Sequence, residues 1–266
     1  MFEEHFFSFY TKASLLPNRI FDEIIEAISD EFLDKGDTVI EVGANTGIHT
    51  IHLAKAVIPD GRVFAFEPYK NNIEALSRRL EDEKLRDTVQ IIETALSNYQ
   101  GQAEFKVFKD NPGLCCFKQR PFYDTSKMET ITVKVNYIDN LFQGGIEFKK
   151  LKLMKIDAEG ADFDILKGAM TTINKFRPLI IFEGGRIKNI PAKLYNYSPN
   201  DFQNFFNTIQ YNIYDTFGIK FNYSLWDKPA LNDFIAIPIE KKNELEIFLQ
   251  ITVLAVMLNH LKTVSL

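Results

Sequence analysis

The chain has 266 residues, 45% hydrophobic and 25% charged, which is material for one full globular core and excludes a disordered or fibrous protein. Its formal net charge of −5 argues against nucleic acid as the main partner, because a phosphate backbone calls for a basic face. Two adjacent cysteines, Cys115 and Cys116, make no disulfide framework, so a reducing, cytoplasmic setting is expected.

At the N-terminus, Glu3 and Glu4 precede an aromatic cluster where a secretory leader would carry basic residues. Phe21, Ile24, Ile25, Ile28 and Phe32 recur at helical spacing and predict an amphipathic helix within an N-terminal segment, 1–36. Thr38 to Val42 reads as a buried strand that opens into a glycine turn, and Ile48, Ile51, Leu53 and Ala54 begin a helix. After the turn at Pro59, Asp60 and Gly61, Arg62 to Phe66 is a second strand ending in Glu67-Pro68. A helix with Ile73, Leu76 and Leu80 inward follows, then a third strand, Val89 to Ile92. Strand, helix, strand, helix, strand is the pattern of a parallel sheet with helical crossovers.

The rhythm then changes. Ala103, Phe105 and Val107 alternate with polar residues, as do Ile131, Val133 and Val135, predicting an antiparallel excursion around an exposed loop insertion, 110–129. Parallel strands resume at 151–156 and 179–182, separated by one helix with Phe163, Leu166 and Met170 inward. Phe202, Phe205 and Phe206 mark another helix, and 212–215 and 234–237 are two closing strands around an aromatic loop, 218–226. The apolar stretch 245–258, broken by Glu246, Gln250 and Thr252, is too short and interrupted for a membrane span. It predicts a packing helix within 240–266, with a homo-oligomer interface or a shallow membrane contact as the alternative. No linker or repeat divides the chain, so 1–266 is expected to be a single domain.

Chemistry concentrates at the strand ends. In the turn Gly43-Ala44-Asn45-Thr46-Gly47, Asn45 stands where the dinucleotide fingerprint has its second glycine. This disfavours a pyrophosphate, and with it a nicotinamide-dependent oxidoreductase. It suits a nucleotide-like cofactor lying against backbone amides, with S-adenosylmethionine the leading candidate. Glu67, about twenty residues on, is placed to accept two ribose hydroxyls, or else to cap the following helix. Asp157 and Glu159 flank Ala158 before Gly160, and Glu183 ends the strand after them. Helix capping accounts for one such carboxylate; ligand contact accounts for several. His49 and His52 lack the partners of a zinc site, and neither cysteine has a nearby base. Lys149, Lys150, Lys152 and Lys155 alternate along a strand and read as a solvated rim.

With these residues in view, the segments 39–47, 64–68, 155–161, 166–168 and 178–183 resemble, in order, the motifs of FkbM-type S-adenosylmethionine-dependent methyltransferases. The resemblance covers about 37–237. It implies a class I, Rossmann-like α/β fold, doubly wound, with a seven-stranded, mostly parallel sheet and the last strand antiparallel. It implies O-methylation of a hydroxyl on a small molecule or glycan. Glu41, Gly43, Ala44, Asn45 and Gly47 would then hold the methionine end of the cofactor, Glu67 and Pro68 the ribose, and Thr94 and Ala95 the adenine. Asp157 would lie near the reacting methyl. Asp157 or Glu159 could serve as general base; alternatively Asp157, Glu159 and Glu183 could ligate Mg²⁺. A cofactor-binding protein without turnover is the rival reading.

Overall fold

The computed structural model describes residues 19–118, 125–143, 150–184, 190–221 and 233–264. The readings of Glu3, Glu4, Lys149, the Phe21 side chain, and residues 119–124 and 222–226 of the two predicted loops lie outside them.

The core is a seven-stranded sheet. It comprises β1 (Thr38–Val42), β2 (Arg62–Phe66), β3 (Val89–Ile92), β7 (Leu153–Ile156), β8 (Leu179–Glu183), β9 (Tyr211–Asp215) and β10 (Asp233–Pro238), in the order β3-β2-β1-β7-β8-β10-β9. Pairing is parallel from β3 to β8, and β10 runs antiparallel to both β8 and β9. The order reverses at β1 and β7, the switch point beyond which ligands of open α/β sheets bind.

Burial on both faces explains why these strands are continuous apolar runs. Along β1, Val39 packs into one core and Ile40 and Val42 into the other. The first core is covered by α1 (Arg19–Phe32), α2 (Ile48–Val57), α3 (Lys70–Asp82) and α9 (Lys242–Val264). The second is covered by α4 (Ile138–Gln143), α5 (Asp162–Lys167), α6 (Met170–Phe176) and α8 (Pro199–Thr208); α7 spans Ile190–Tyr195. At α8 Ser198 and Asp201 form a reciprocal capping box, Phe202 stacks on Phe182 at 5.3 Å, and Phe206 meets Phe182 tilted at 5.1 Å.

The excursion forms its own three-stranded sheet from β4 (Ala95–Leu96), β5 (Gly101–Phe108) and β6 (Met128–Asn136). Antiparallel pairing sets Ala103 opposite Val133 and Phe105 opposite Ile131. Phe105, Val107, Val133 and Val135 close a small core against Tyr69 and Ala95.

Three local expectations change. The predicted helix from Phe163 to Met170 is two helices that part at Gly168, where a side chain would overlap the Ser97 carbonyl. Met170 therefore faces solvent, as does Ile48. Met128 and Glu129 belong to β6 rather than to the loop.

The apolar C-terminal segment does pack as a helix. Leu245, Leu249, Val253 and Met257 are buried, and Phe248 meets Phe32 of α1 at 5.9 Å. Ile247, Ile251, Leu254 and Leu258 lie exposed on the other side. Among the described residues no helix is long and apolar enough to cross a membrane.

Candidate active site

A cleft with about 700 Å³ of empty space, including its mouth, opens over the carboxyl ends of β1, β2 and β7. Gly43, Asn45, Glu67, Pro68, Thr94, Ala95, Asp157 and Glu159 all line it. Residues from four separate motifs thus meet because parallel strands deliver their ends to one edge of the sheet.

The glycine turn is built for close approach. Gly43 and Gly47 hold positive φ of 77° and 90°, and Asn45 one of 49°. A Cβ on Gly43 would overlap the Asp157 carbonyl, and one on Gly47 the Leu76 side chain. Contrary to expectation, the amides at the start of this turn do not wait for a ligand. Gly43 and Ala44 N–H donate to the Phe66 carbonyl at 3.0 and 3.1 Å, and Gly47 N–H to the Ala44 carbonyl at 2.9 Å. Their contribution is shape. Asn45 differs, since its side-chain Oδ1 is buried without a hydrogen-bond partner while the residue lines the cleft. A buried acceptor left unmatched costs about 1–3 kcal/mol, so this atom fits a donor on a bound group.

Glu67 realises both sequence readings at once. Its Oε1 accepts from the Tyr69 N–H at 2.8 Å and from Asn72 Nδ2 at 3.3 Å, which anchors the start of α3. Its Oε2 accepts the Asn45 N–H at 2.9 Å and faces the turn. Burial pushes its pKa up, opposed by these three donors.

Glu41 is not a cleft residue. It lies beneath the turn, 1% exposed, with Thr50 Oγ1 donating to its Oε2 at 2.6 Å. Burial pushes its pKa up to about 7, opposed by Lys155 and Thr50. His49, on α2 above it, is driven down to about 3 by burial with Lys155 adding. Its 3.8 Å approach to Asp22 is therefore a contact of a neutral ring at ordinary pH.

The proposed Mg²⁺ set is not formed. Glu183 sits buried at the end of β8, its N–H donating to Asp162 Oδ1 at 3.2 Å, and it is not among the cleft-lining residues. Asp157 is engaged by a cation of the protein's own, Lys155, at 3.1 Å. Among the described residues no group of three or more His, Cys, Asp or Glu is arranged to hold a metal ion. The same geometry corrects the reading of Lys155 as a solvated rim. Lys150 and Lys152 do pair at the edge, with Asp37 and Asp34, but Lys155 is buried between strands.

Sequence reasoning missed one wall and one anchor. Phe105, Gly113, Cys115 and Phe117 close the cleft beside Thr94 and Ala95. The loop after β5 is held there by paired Lys106 and Cys116 backbone bonds at 2.8 and 3.0 Å, and Phe117 meets Phe105 edge-on at 5.5 Å. Phe105 in an alternating strand was the available signal. Burial pushes the Cys115 thiol up to about 11, so it serves as wall, not nucleophile. The anchor is Asp162, fully buried, which accepts the Gly160 and Glu183 N–H groups and ties the 157–160 bend to β8. Burial first, then Glu183 and Asp157, raise its pKa well above the usual range.

The model of the methyltransferase FkbM domain matches residues 41–198. The chain is 26% identical over 156 residues to methyltransferase sdnD of Sordaria araneosa, a match covering 49% of this chain and 59% of that protein. It thus spans less than two thirds of that relative. A methyltransferase FkbM from Methylobacillus flagellatus is 18% identical, with a TM-score of 0.48 over 77% of this chain and 44% of that one. A putative rRNA methylase from Clostridium thermocellum, 14% identical, superposes with a TM-score of 0.51 over 84% and 96%, a likeness of fold alone.

Proposed function

The chain belongs to the methyltransferase FkbM domain family, and from that membership we propose that it is an S-adenosylmethionine-dependent methyltransferase acting on a hydroxyl of a small molecule or glycan. The observation that carries the reading is the unmatched Asn45 Oδ1 in a cleft shared with Glu67, Asp157 and Glu159. When bound, S-adenosylmethionine supplies a sulfonium-activated methyl, which an acceptor oxygen takes in line while the C–S electron pair stays on sulfur.

The chain's residues position and desolvate. Glu67 would take one ribose hydroxyl through the acceptor site left on Oε2, since each oxygen offers two such sites and Tyr69 and Asn72 fill both on Oε1. Thr94, Ala95, Phe105 and Phe117, which line the cleft together, would hold the adenine and keep water from it. Gly43 and Asn45 let the methionine portion approach the backbone, and Asp157 stands at the methyl. Glu159, held at a positive φ of 52° on the bend before Gly160, takes the proton that the acceptor hydroxyl sheds.

Calorimetric titration with S-adenosylhomocysteine tests the cofactor half: absence of binding would remove the reading. A panel of alcohols and glycosides, followed by methyl transfer from labelled cofactor, tests the rest. Binding with no turnover on any acceptor would favour a cofactor-binding protein without catalytic activity.

A further inference from the structure

Lys155 lies on β7 in register with Glu41 of β1 and Ile181 of β8, so pleating sends it to the same face as Glu41, beneath α2. The residue is 4% exposed. Its ammonium donates to Asp157 Oδ2 at 3.1 Å. A buried ammonium carries a desolvation penalty of several kcal/mol and persists only where carboxylates surround it. Here the penalty falls at the switch point, two residues before Asp157, whose carbonyl meets Gly43. We propose that Lys155 is a positioning residue of the methyl-transfer site, anchoring the Asp157 carboxylate at the cleft floor and supplying the counter-charge for Glu41 beneath the glycine turn. This rests on the cofactor reading above.

The charged groups around it support that role. Burial alone would lower the Lys155 pKa, but Asp157, Glu41 and, from β10, Asp233 overcome it and hold the ammonium protonated. From α2, His49 faces it as a neutral ring. Glu41 in turn feels Lys155 and the Thr50 hydroxyl, which favour its anion, and Asp157 and Glu67, which oppose it. Remove Lys155 and Glu41 loses its main cation, while Asp157 loses the donor that fixes its orientation. An anionic Glu41 beneath the turn favours the cofactor's α-ammonium, so affinity should fall in acid.

The test is S-adenosylhomocysteine binding to the full chain from pH 5.5 to 9, by calorimetry. Wild type is expected to show an acid limb with a midpoint near 7, and Glu41→Gln should lack it. Lys155→Met should move that midpoint up by about one pH unit and weaken binding at pH 7 by about fivefold. Lys155→Arg, which keeps the charge, should restore most of both. If Lys155→Met does not fold, Lys155→Gln, which removes the charge but keeps a polar head, should carry the same shifted limb. A limb unmoved in the folded variants overturns the inference while the cofactor reading stands. Wild type that binds no S-adenosylhomocysteine at any pH overturns both.

Discussion

The Asn45 backbone N–H donates to Glu67 Oε2 across 2.9 Å, joining the turn after β1 to the acidic end of β2. The bond spans 22 residues of sequence and closes the cofactor end of the cleft. It also explains how Asn45 sustains a positive φ of 49°, since the surrounding bonds determine the turn completely. Position and chemistry are thereby coupled, because the carboxylate proposed to hold the ribose also shapes the turn next to it.

Glu67→Gln leaves one acceptor oxygen and turns a donor group toward N–H groups that need acceptors. Hydrogen bonds to charged groups are worth about 1.5–3 kcal/mol. The expected result is an S-adenosylhomocysteine Kd raised about tenfold or more, read by calorimetry. Unchanged affinity would show that the carboxylate serves only the start of α3.

Gly43→Ala places a methyl group on the Asp157 carbonyl at a φ of 77°. The strand ends of β1 and β7 must part, so binding should be lost and the melting temperature should fall by several degrees. Gly113→Ala is the comparison, because its added carbon meets only ordinary contacts at 3.6 and 3.7 Å. That variant should melt like the wild type.

The buried Glu41 gives stability a pH dependence of definite sign. Its pKa rises from 4.5 to about 7 on folding, so the folded state holds the proton more tightly than the unfolded chain does. The resulting stabilisation is complete below 4.5 and is lost as pH rises through 7, on the order of 3 kcal/mol at most. Melting curves from pH 4.5 to 8 should show the wild type losing stability relative to Glu41→Gln as pH rises. A constant difference between the two would refute the assignment.

Phe117→Ala removes an edge-on partner of Phe105 and one wall of the proposed adenine site. Aromatic pairs contribute about 0.5–1.5 kcal/mol beyond the area they bury, so affinity for S-adenosylhomocysteine should weaken by about fivefold or more. The Lys106–Cys116 pairing should keep the loop folded, visible as an unchanged circular dichroism spectrum.

Arg177 separates stability from binding. It follows α6 at a positive φ of 52°, bridges Glu240 at 2.8 Å, and donates to the Ile209 and Gln210 carbonyls. All of these lie away from the cleft-lining residues. Arg177→Ala should cost about 2 kcal/mol, or roughly 5 °C in melting temperature, with cofactor affinity unaltered. A change in affinity would contradict the placement of the site.

Much of the frame was legible because it is written in local patterns. Thr38 to Val42 and the strands after it are buried on both faces, which leaves continuous apolar runs, and β5 and β6 have one wet face, which leaves alternation. Glu67 could be found from its distance to the glycine turn. Lys155 could not, because a lysine three residues from Lys152 and five from Lys150 has the same sequence signature whether it faces water or a neighbouring strand. Glu183 misled for the converse reason: it ends a parallel strand as Asp157 follows one, but it lies outside the cleft lining, its N–H bonded to Asp162.

By itself, then, the sequence determined the strands, the turn that demands glycine at Gly43 and Gly47, and the acidic residues delivered to strand ends. Those follow from side-chain periodicity and backbone sterics within a few residues. Only the tertiary structure decided which charges meet, that the first amides of the turn bond to Phe66 rather than to a ligand, and that Gly113, Cys115 and Phe117 wall the cleft. Strand order and crossovers set those distances, and electrostatic and hydrogen-bond energies depend on distance and burial, not on separation along the chain.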